Sequence, residues 1–404
     1  MTVHHSLRIG VVGPGLMGLG LCHAAAAAGV PTVLAGRDFA AAQRGLARLA
    51  ADLQKRVERG RLEAEACGAI LDRISLAPSD DALARCALVV ETVAEDRSVK
   101  ADVFKRIEAV VAHDAVIATN TSGLPVSGLA SALTRPERFI GLHFFSPVDR
   151  MALVEVVVGS QTAPETTRLA LDWVRRLGKT PIVVRDGPGF YTSRVFAAYL
   201  DEAAAMVAEG IAPASIEAAA ASAGMPAGPL AMLDETGIAL NWQQARQAKA
   251  DGLADRFCRP LAWSVLDRLV ALGRRGRRDG GGFYDYHDAA PKRLWPGLGT
   301  LFPACAAAPD IDALRRRLMN AQAIEAARCL EEGTVATARD ADIGSMLGLG
   351  FPKAEGGVLA QIERRGLAVF ESECDALADL HGERFRPSPW LRTRASRAEG
   401  FDST

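Results

Sequence analysis

An apolar run, Ile9–Val12, feeds directly into Gly13-Pro-Gly15-Leu-Met-Gly18, and that glycine pattern opens an alanine-rich helical stretch. The order strand, glycine turn, helix places a dinucleotide's pyrophosphate on a helix N-terminus. The first glycine, Gly13, allows the tight turn and the second, Gly15, lets backbone approach the phosphates. The third, Gly18, lets the helix pack on the strand. An ordinary glycine-rich turn is the bland alternative, and the flanking strand and helix weigh against it. The reading is a nicotinamide or flavin dinucleotide site.

The next strand, Thr32–Ala35, departs from that pattern. It should end in an Asp or Glu that hydrogen-bonds the adenosine ribose. It ends instead in Gly36-Arg37, with Asp38 one or two places late. A carboxylate would repel a ribose 2′-phosphate, whereas a guanidinium grips one with paired, charge-assisted bonds. NADP is therefore favoured over NAD through Arg37. In the alternative, Asp38 reaches the ribose and Arg37 points into solvent.

At 404 residues the chain suggests two or three domains with a substantial core. Its 47 basic and 48 acidic residues give no argument for nucleic acid or a membrane surface. The seven cysteines are scattered, with no C-x-x-C and no His at a zinc spacing, so no metal site is expected. That usage, together with an N-terminus lacking a signal-peptide core, reads as a reduced, cytoplasmic chain without a membrane span.

Residues 7–186 alternate short apolar runs with helical stretches, the signature of a mostly parallel sheet. The expected strands are Ile9–Val12, Thr32–Ala35, Ala87–Thr92, Ala115–Ala118, Phe139–Phe145, Leu153–Val158 and Pro181–Val184. A long charged stretch, Phe39–Ile70, exceeds what a crossover needs and reads as an inserted helical arm. After Gly187 the pattern turns to helices alone. A Pro/Gly-punctuated stretch, His287–Pro309, reads as a linker. Glu202-Ala-Ala-Ala-Met-Val-Ala-Glu-Gly210 matches Glu325-Ala-Ala-Arg-Cys-Leu-Glu-Glu-Gly333 in spacing, and each is followed by Gly-x-Pro, at 224–226 and 350–352. Duplication is the better account of that match. The expected architecture is α/β. A Rossmann domain (1–186, arm at about 39–70) precedes two related all-helical domains (187–290 and 310–404), with 291–309 as linker.

His143 lies at the carboxyl end of an apolar strand, in Gly141-Leu-His-Phe-Phe-Ser-Pro147, and open α/β sheets bind ligands beyond those ends. Glu155 sits inside another apolar strand, where an unpaired carboxylate is costly. If a turn sets the two strands side by side, Glu155 orients the imidazole and stabilises its protonated form. Imidazole, with a free pKa of about 6.5, is matched to taking an alcohol's proton at neutral pH. A satisfied core histidine with its carboxylate paired elsewhere is the alternative. Ser122, in Thr119-Asn-Thr-Ser-Gly123 after the Ala115–Ala118 strand, can donate to a substrate oxygen; turn chemistry explains it equally well. Glu91, Glu95 and Lys100 can reach the cofactor or merely begin a solvated helix. The basic run 55–61 can attract an anionic nucleotide tail or form a solvated face.

Together, Gly13–Gly18, Val89-Val-Glu-Thr-Val-Ala-Glu95 with Lys100, Thr119–Ser122, His143–Pro147, Leu153–Glu155, Gly187-Pro-Gly-Phe190 and Gly281-Gly-Phe-Tyr284 resemble the 3-hydroxyacyl-CoA dehydrogenase family. Within it, the chain is similar to the dehydrogenase half of the bacterial multifunctional fatty-acid oxidation enzyme over residues 7 to 395. The resemblance implies His143 as general base, Glu155 as its orienting partner and Ser122 on the substrate's 3-oxygen. It places Glu95 and Lys100 near the cofactor, and the arm's basic run near the CoA moiety. It implies a (3S)-3-hydroxyacyl thioester as substrate. A duplicated helical repeat can imitate the dimer of single-repeat relatives, so monomer and homodimer both stand, with a separate hydratase or thiolase as the protein partner to test. Ser146 and Ser193 stand where the family has Asn, giving shorter donors at the substrate. Two further readings follow from these departures: a biosynthetic dehydrogenase acting with NADP on an acyl-carrier-protein or unusual acyl thioester, and a catalytically silent binding subunit.

Overall fold

The computed structural model describes residues 8–287, 290–305 and 310–402. It divides into two compact units, Met1–Phe190 and Tyr191–Thr404.

The first unit runs β1 (Ile9–Val12), α1 (Leu16–Ala27), β2 (Thr32–Ala35), α2 (Phe39–Glu58), α3 (Ala64–Asp72), β3 (Ile74–Leu76), β4 (Leu88–Glu91), α4 (Arg97–Val110) and β5 (Val116–Thr119). It continues through α5 (Val126–Ala130), β6 (Phe139–Phe144), β7 (Leu153–Val158), α6 (Pro164–Arg176) and β8 (Thr180–Arg185). These strands form one sheet in the order β3-β2-β1-β4-β5-β6-β7-β8. Neighbours are parallel except β6 and β7, which run antiparallel. Every residue of β1, β2, β4 and β5 is buried, which is why these strands read as unbroken apolar runs rather than as alternation. The order reverses between β1 and β4, and that switch point is where an open α/β sheet receives its ligand.

Several expectations need correction. The arm is two helices, broken after Arg59 where Gly60 takes φ +63°. The arm packs on the rest of the fold through one stripe of α2 (Ala42, Gly45, Leu49 and Leu53) and through Cys67 and Ile70 of α3. Strand β3 was missed because its three residues carry too little pattern. The strand expected at Pro181–Val184 is longer, Thr180–Arg185. As the sheet's last strand it tolerates a proline, because the missing N–H is on the unpaired side.

The second unit begins with α7 (Thr192–Ala208), α8 (Pro213–Ser222), α9 (Pro229–Thr236), α10 (Ile238–Ala250) and α11 (Pro260–Ala271). An antiparallel hairpin follows, β9 (Tyr284–His287) with β10 (Ala290–Leu294), then α12 (Leu298–Leu301). The expectations of helices alone and of a plain linker at His287–Pro309 are therefore corrected. Leu294 pairs with Tyr284, and the Trp295 N–H donates to the Phe283 carbonyl at 2.8 Å, with the Arg274 guanidinium over the Trp295 ring. Residues 288–289 and 306–309 of that stretch lie outside the described residues. The unit closes with α13 (Ile311–Glu331), α14 (Ala338–Gly348), α15 (Ala360–Arg365), α16 (Leu367–His381) and α17 (Pro389–Arg397).

Its two halves repeat one arrangement and meet reciprocally. Arg194 of α7 holds Glu325 of α13 (2.6 Å) and Glu332 (2.8 Å). Arg317 of α13, at the equivalent place in the second half, holds Glu202 of α7 (2.5 Å) and Glu209 (2.6 Å). A Cβ on Gly224 would touch Pro352, and one on Gly350 would meet Pro226, which is the same contact from the other side. In each half a carboxylate caps the third helix: Glu217 accepts from Leu230 N–H (2.8 Å) and Asp342 from Leu359 N–H (2.7 Å). In each, an acid of that helix accepts the N–H of a Gly-Phe phenylalanine, Asp234 from Phe283 and Glu363 from Phe401. Burial pushes the Asp234 carboxyl up to about 6 against the pull of the Tyr284 and Phe283 N–H donors. Among the described residues no helix is long and apolar enough to cross a membrane.

Candidate active site

The loop after β1 is built as the glycine spacing requires. Gly13 adopts φ +119°, closed to ordinary side chains, and donates its N–H to the Ala35 carbonyl at 2.9 Å. Thr92, just beyond β4, donates its hydroxyl to the Gly13 carbonyl at 2.9 Å and so pins the turn across the switch point. A Cβ on Gly18 would collide with that same carbonyl and stand 2.6 Å from Thr92 Oγ1, whereas nothing lies within 4 Å of a Cβ on Gly15. Open space over Gly15, beside a helix N-terminus, suits a pyrophosphate. Gly18→Ala is expected to weaken dinucleotide binding about tenfold or more, since overpacking of this kind costs about 1–3 kcal/mol. Fluorescence titration with NADH checks it.

At the end of β2 the position of the usual ribose carboxylate is closed as well as empty. A Cβ on Gly36 would lie 2.9 Å from both the Ala42 nitrogen and the Asp38 carbonyl oxygen. Asp38 is the N-cap of α2: its Oδ1 accepts the Ala41 N–H at 2.6 Å, and that bond holds its carboxyl below the usual range. Arg37 touches Asp38 at 3.3 Å with 83% of its side chain exposed. The Arg44 charge acts on Asp38 too, and Arg48 donates to the Pro14 carbonyl at 2.7 Å, so this mouth of the sheet is lined by guanidinium groups.

His143 and Glu155 face each other directly in the antiparallel β6–β7 register. His143 Nδ1 stands 2.7 Å from Glu155 Oε2, with the carboxylate fully buried and the imidazole 9% exposed. Phe145 and Phe190 pack beside the ring at 4.5 and 6.0 Å between centroids. A carboxylate can only accept, so the pair keeps a proton on Nδ1 and leaves Nε2 as the reactive nitrogen.

Ser122 follows β5 in a half-buried loop and donates its N–H to Glu95 Oε1 at 3.2 Å. Asn120 in the same loop accepts the Phe144 N–H on Oδ1 at 2.9 Å, which fastens the loop beside His143. Ser146, exposed, lies in the β6–β7 connection. That connection is held by Lys179, whose ammonium donates to Val148 O (2.5 Å) and Met151 O (2.7 Å), and by Arg56 of the arm, 2.7 Å from Asp149. Burial lowers the Lys179 and His23 pKa values, while Arg56 holds the Asp149 carboxyl low against its own burial. Arg56 is thus committed to the loop, and Lys55, Arg59 and Arg61 of the basic run stay exposed. Ser193 lies in the first turn of α7, in the second unit.

Lys100, which the resemblance places near the cofactor, has a side chain 1% exposed and paired with Glu91 at 2.9 Å and Glu95 at 3.2 Å. Sequence reasoning passed over Thr92 and Asn120, and offered Glu91 only as a cofactor contact or a solvated helix start, not as the buried partner of Lys100. For Glu91 the signal was present: like Glu155, it is a carboxylate in an otherwise apolar strand.

Residues 8–187 match the model of the 3-hydroxyacyl-CoA dehydrogenase NAD binding domain and residues 189–286 that of the 3-hydroxyacyl-CoA dehydrogenase C-terminal domain. The fatty acid oxidation complex subunit alpha of Shewanella putrefaciens is 39% identical over 318 residues, 78% of this chain and 44% of that protein. That of Shewanella frigidimarina is 38% identical over 320 residues. The chain thus spans less than half the length of the curated relatives it matches. The crystal structure of 3-hydroxybutyryl-CoA dehydrogenase from Escherichia coli K12 superposes with a TM-score of 0.82 at 27% identity, covering 97% of this chain and 98% of that one. (S)-3-hydroxybutyryl-CoA dehydrogenase from Ralstonia eutropha superposes at 0.66 with 32% identity, over 70% of this chain and 99% of the other. The chain belongs to the 3-hydroxyacyl-CoA dehydrogenase family.

Proposed function

We propose that the chain interconverts (3S)-3-hydroxyacyl and 3-oxoacyl thioesters of CoA, with a nicotinamide dinucleotide taking or giving the hydride. The observation that carries this reading is the His143–Glu155 pair, 2.7 Å apart at the carboxyl mouth of a sheet whose switch point holds the glycine loop. In the oxidative direction His143 Nε2 takes the proton of the 3-hydroxyl as the carbinol carbon loses hydride. The buried Glu155 carboxylate stabilises the imidazolium so formed. In reverse, the Nε2–H polarises the ketone and returns the proton to the alkoxide. Ser122 donates to the same oxygen, and Gly13, Gly15 and Gly18 would hold the pyrophosphate of the dinucleotide, with Glu95 and Lys100 near it. Ser146 and Ser193 act as shorter donors than the family's Asn and favour an acyl group that differs from those of its relatives.

NADP is the preferred cofactor in this reading. Three observations support it: position 36 has no room for a carboxylate, Asp38 is used as a cap, and Arg37 is exposed beside it. With acetoacetyl-CoA, kcat/KM for NADPH should exceed that for NADH. Arg37→Ala should cut the NADPH value about tenfold and leave NADH nearly unchanged, because one charge-assisted phosphate contact contributes about 1.5–3 kcal/mol. An NADH preference untouched by Arg37→Ala would remove the NADP reading and leave the dehydrogenase reading standing.

A further inference from the structure

In an open dinucleotide fold the adenosine ribose rests at the end of β2, so a phosphate on its 2′-oxygen lies beside position 36 and the start of α2. A recess of about 410 Å³ opens there, bounded by Pro14 of the glycine loop and by Ala41, Arg44, Ala47 and Arg48 of α2. Its volume falls in the range of roughly 300–1,000 Å³ in which ligand pockets lie. Ala41 joins the two places, since its Cβ stands 3.2 Å from where a Gly36 side chain would begin. The helix can approach the loop because position 45 is glycine: a Cβ there would stand 2.6 Å from Pro14 Cβ. Positions 41, 44 and 48 fall three and four residues apart, so they share the face of α2 that looks onto this loop.

The charges around the recess are suited to an anion. Arg48 spends one nitrogen on the Pro14 carbonyl at 2.7 Å, which anchors its guanidinium at the rim. Arg44 has no hydrogen bond or ion pair among the described residues. The described residues lining the recess include no carboxylate. Asp38, the nearby acid, is already committed: Oδ1 takes the Ala41 N–H and Oδ2 takes Arg37 Nε at 3.3 Å. A guanidinium is weakly hydrated and its planar fork matches phosphate oxygens, so an anchored Arg48 and an unspent Arg44 are matched to a phosphate monoester. We propose that Arg44 and Arg48 form, with Arg37, a binding site for a phosphate on the adenosine ribose, so that cofactor choice in this chain is made from α2 and not from the end of β2. Position 36, closed to any side chain, has lost that choice to the helix packed against it. The site rests on the dehydrogenase reading and deepens its NADP half, which until here stood on Arg37 alone.

Calorimetric titration of the whole chain with 5′-AMP, adenosine 2′,5′-bisphosphate and adenosine 3′,5′-bisphosphate tests the site without turnover. Wild type should bind the 2′,5′-bisphosphate about tenfold or more tighter than AMP, and Arg44→Ala should remove most of that preference, because one charge-assisted contact is worth about tenfold or more in Kd. Arg44→Lys, which keeps the charge without the fork, should retain part of it. Arg48→Ala should weaken both ligands, the 2′,5′-bisphosphate more, since Arg48 also holds the glycine loop. Arg168→Ala, which removes an exposed cation of α6, should leave all three affinities unmoved. An Arg44→Ala variant with the wild-type preference would overturn the site, and if Arg37→Ala alone abolished that preference, cofactor choice would return to the end of β2. A 3′,5′-bisphosphate that binds as tightly as the 2′,5′ isomer, with the same dependence on Arg44, would give the recess to the CoA ribose and overturn it as a dinucleotide site. Equal binding of AMP and the 2′,5′-bisphosphate by wild type would remove the site and the NADP preference together. Acetoacetyl-CoA reduction by NADH in that same protein would still carry the dehydrogenase reading, and only its absence with both reduced dinucleotides would remove it.

Discussion

His143→Ala is expected to lower kcat for acetoacetyl-CoA reduction by about 10³-fold, in line with the 10²–10⁴ that a positioned acid–base contributes. The loss should fall on kcat more than on KM, because Nε2 acts on a proton that moves only in the transition state. Glu155→Gln tests the other half of the pair. The amide keeps the shape but can present its NH₂ group to Nδ1, which favours the wrong tautomer and withdraws the charge that steadies the imidazolium. A fall of about 10²-fold or more is expected. Steady-state rates of both variants, with circular dichroism to verify the fold, settle the matter. Full activity in His143→Ala would exclude the proposed mechanism, and the silent-subunit reading would need wild type to be inert as well.

The largest stability effect should come from the second unit. Glu202, 2% exposed, lies between two guanidinium groups, with Arg317 Nε at 2.5 Å and Arg384 Nε at 2.6 Å. Glu202→Ala removes the anion and leaves Arg317, itself 2% exposed, with Glu209 alone to pair among the described residues. Breaking a buried network by deleting one partner costs about 3–5 kcal/mol, most of it from the charge left behind. A clear drop in the urea midpoint is expected. Glu165→Ala is the control, because its pair with Arg168 is about two-thirds exposed on both sides and should be worth less than about 1 kcal/mol. Equal midpoints for the two variants would show that the reciprocal ion pairs do not hold the helical halves together.

Much of this protein could be read without coordinates. The glycine loop was legible because its chemistry is local: a turn, a close approach and a helix start lie within a few residues of one another. The His143–Glu155 pair was legible because a carboxylate in an apolar strand demands a partner and His143 was close enough in sequence to supply one. The repeat was legible as the shared Glu-Gly and Gly-x-Pro offsets. Less visible was what the repeat does, since Arg194 and Arg317 carry no local sign that each crosses to the opposite half. Gly400-Phe401, the second copy of the Gly-Phe turn, also passed unnoticed, because two residues are too few to recognise without the carboxylate that binds them.

Asp38 and Lys100 show where local reasoning stops. Each is a charged residue next to a cofactor motif, and the sequence offers no way to know whether its charge faces a ligand or the fold. Short-range chemistry in the chain was enough for the strand–glycine–helix loop, the periodicity of the elements and the identity of the dyad. Tertiary structure alone decided that Asp38 caps α2, that Lys100 is spent on Glu91 and Glu95, and that Asn120 joins the Ser122 loop to β6. The physical reason is desolvation. A charged group's partner is chosen by what else is buried around it, and that depends on elements distant in the chain being packed together.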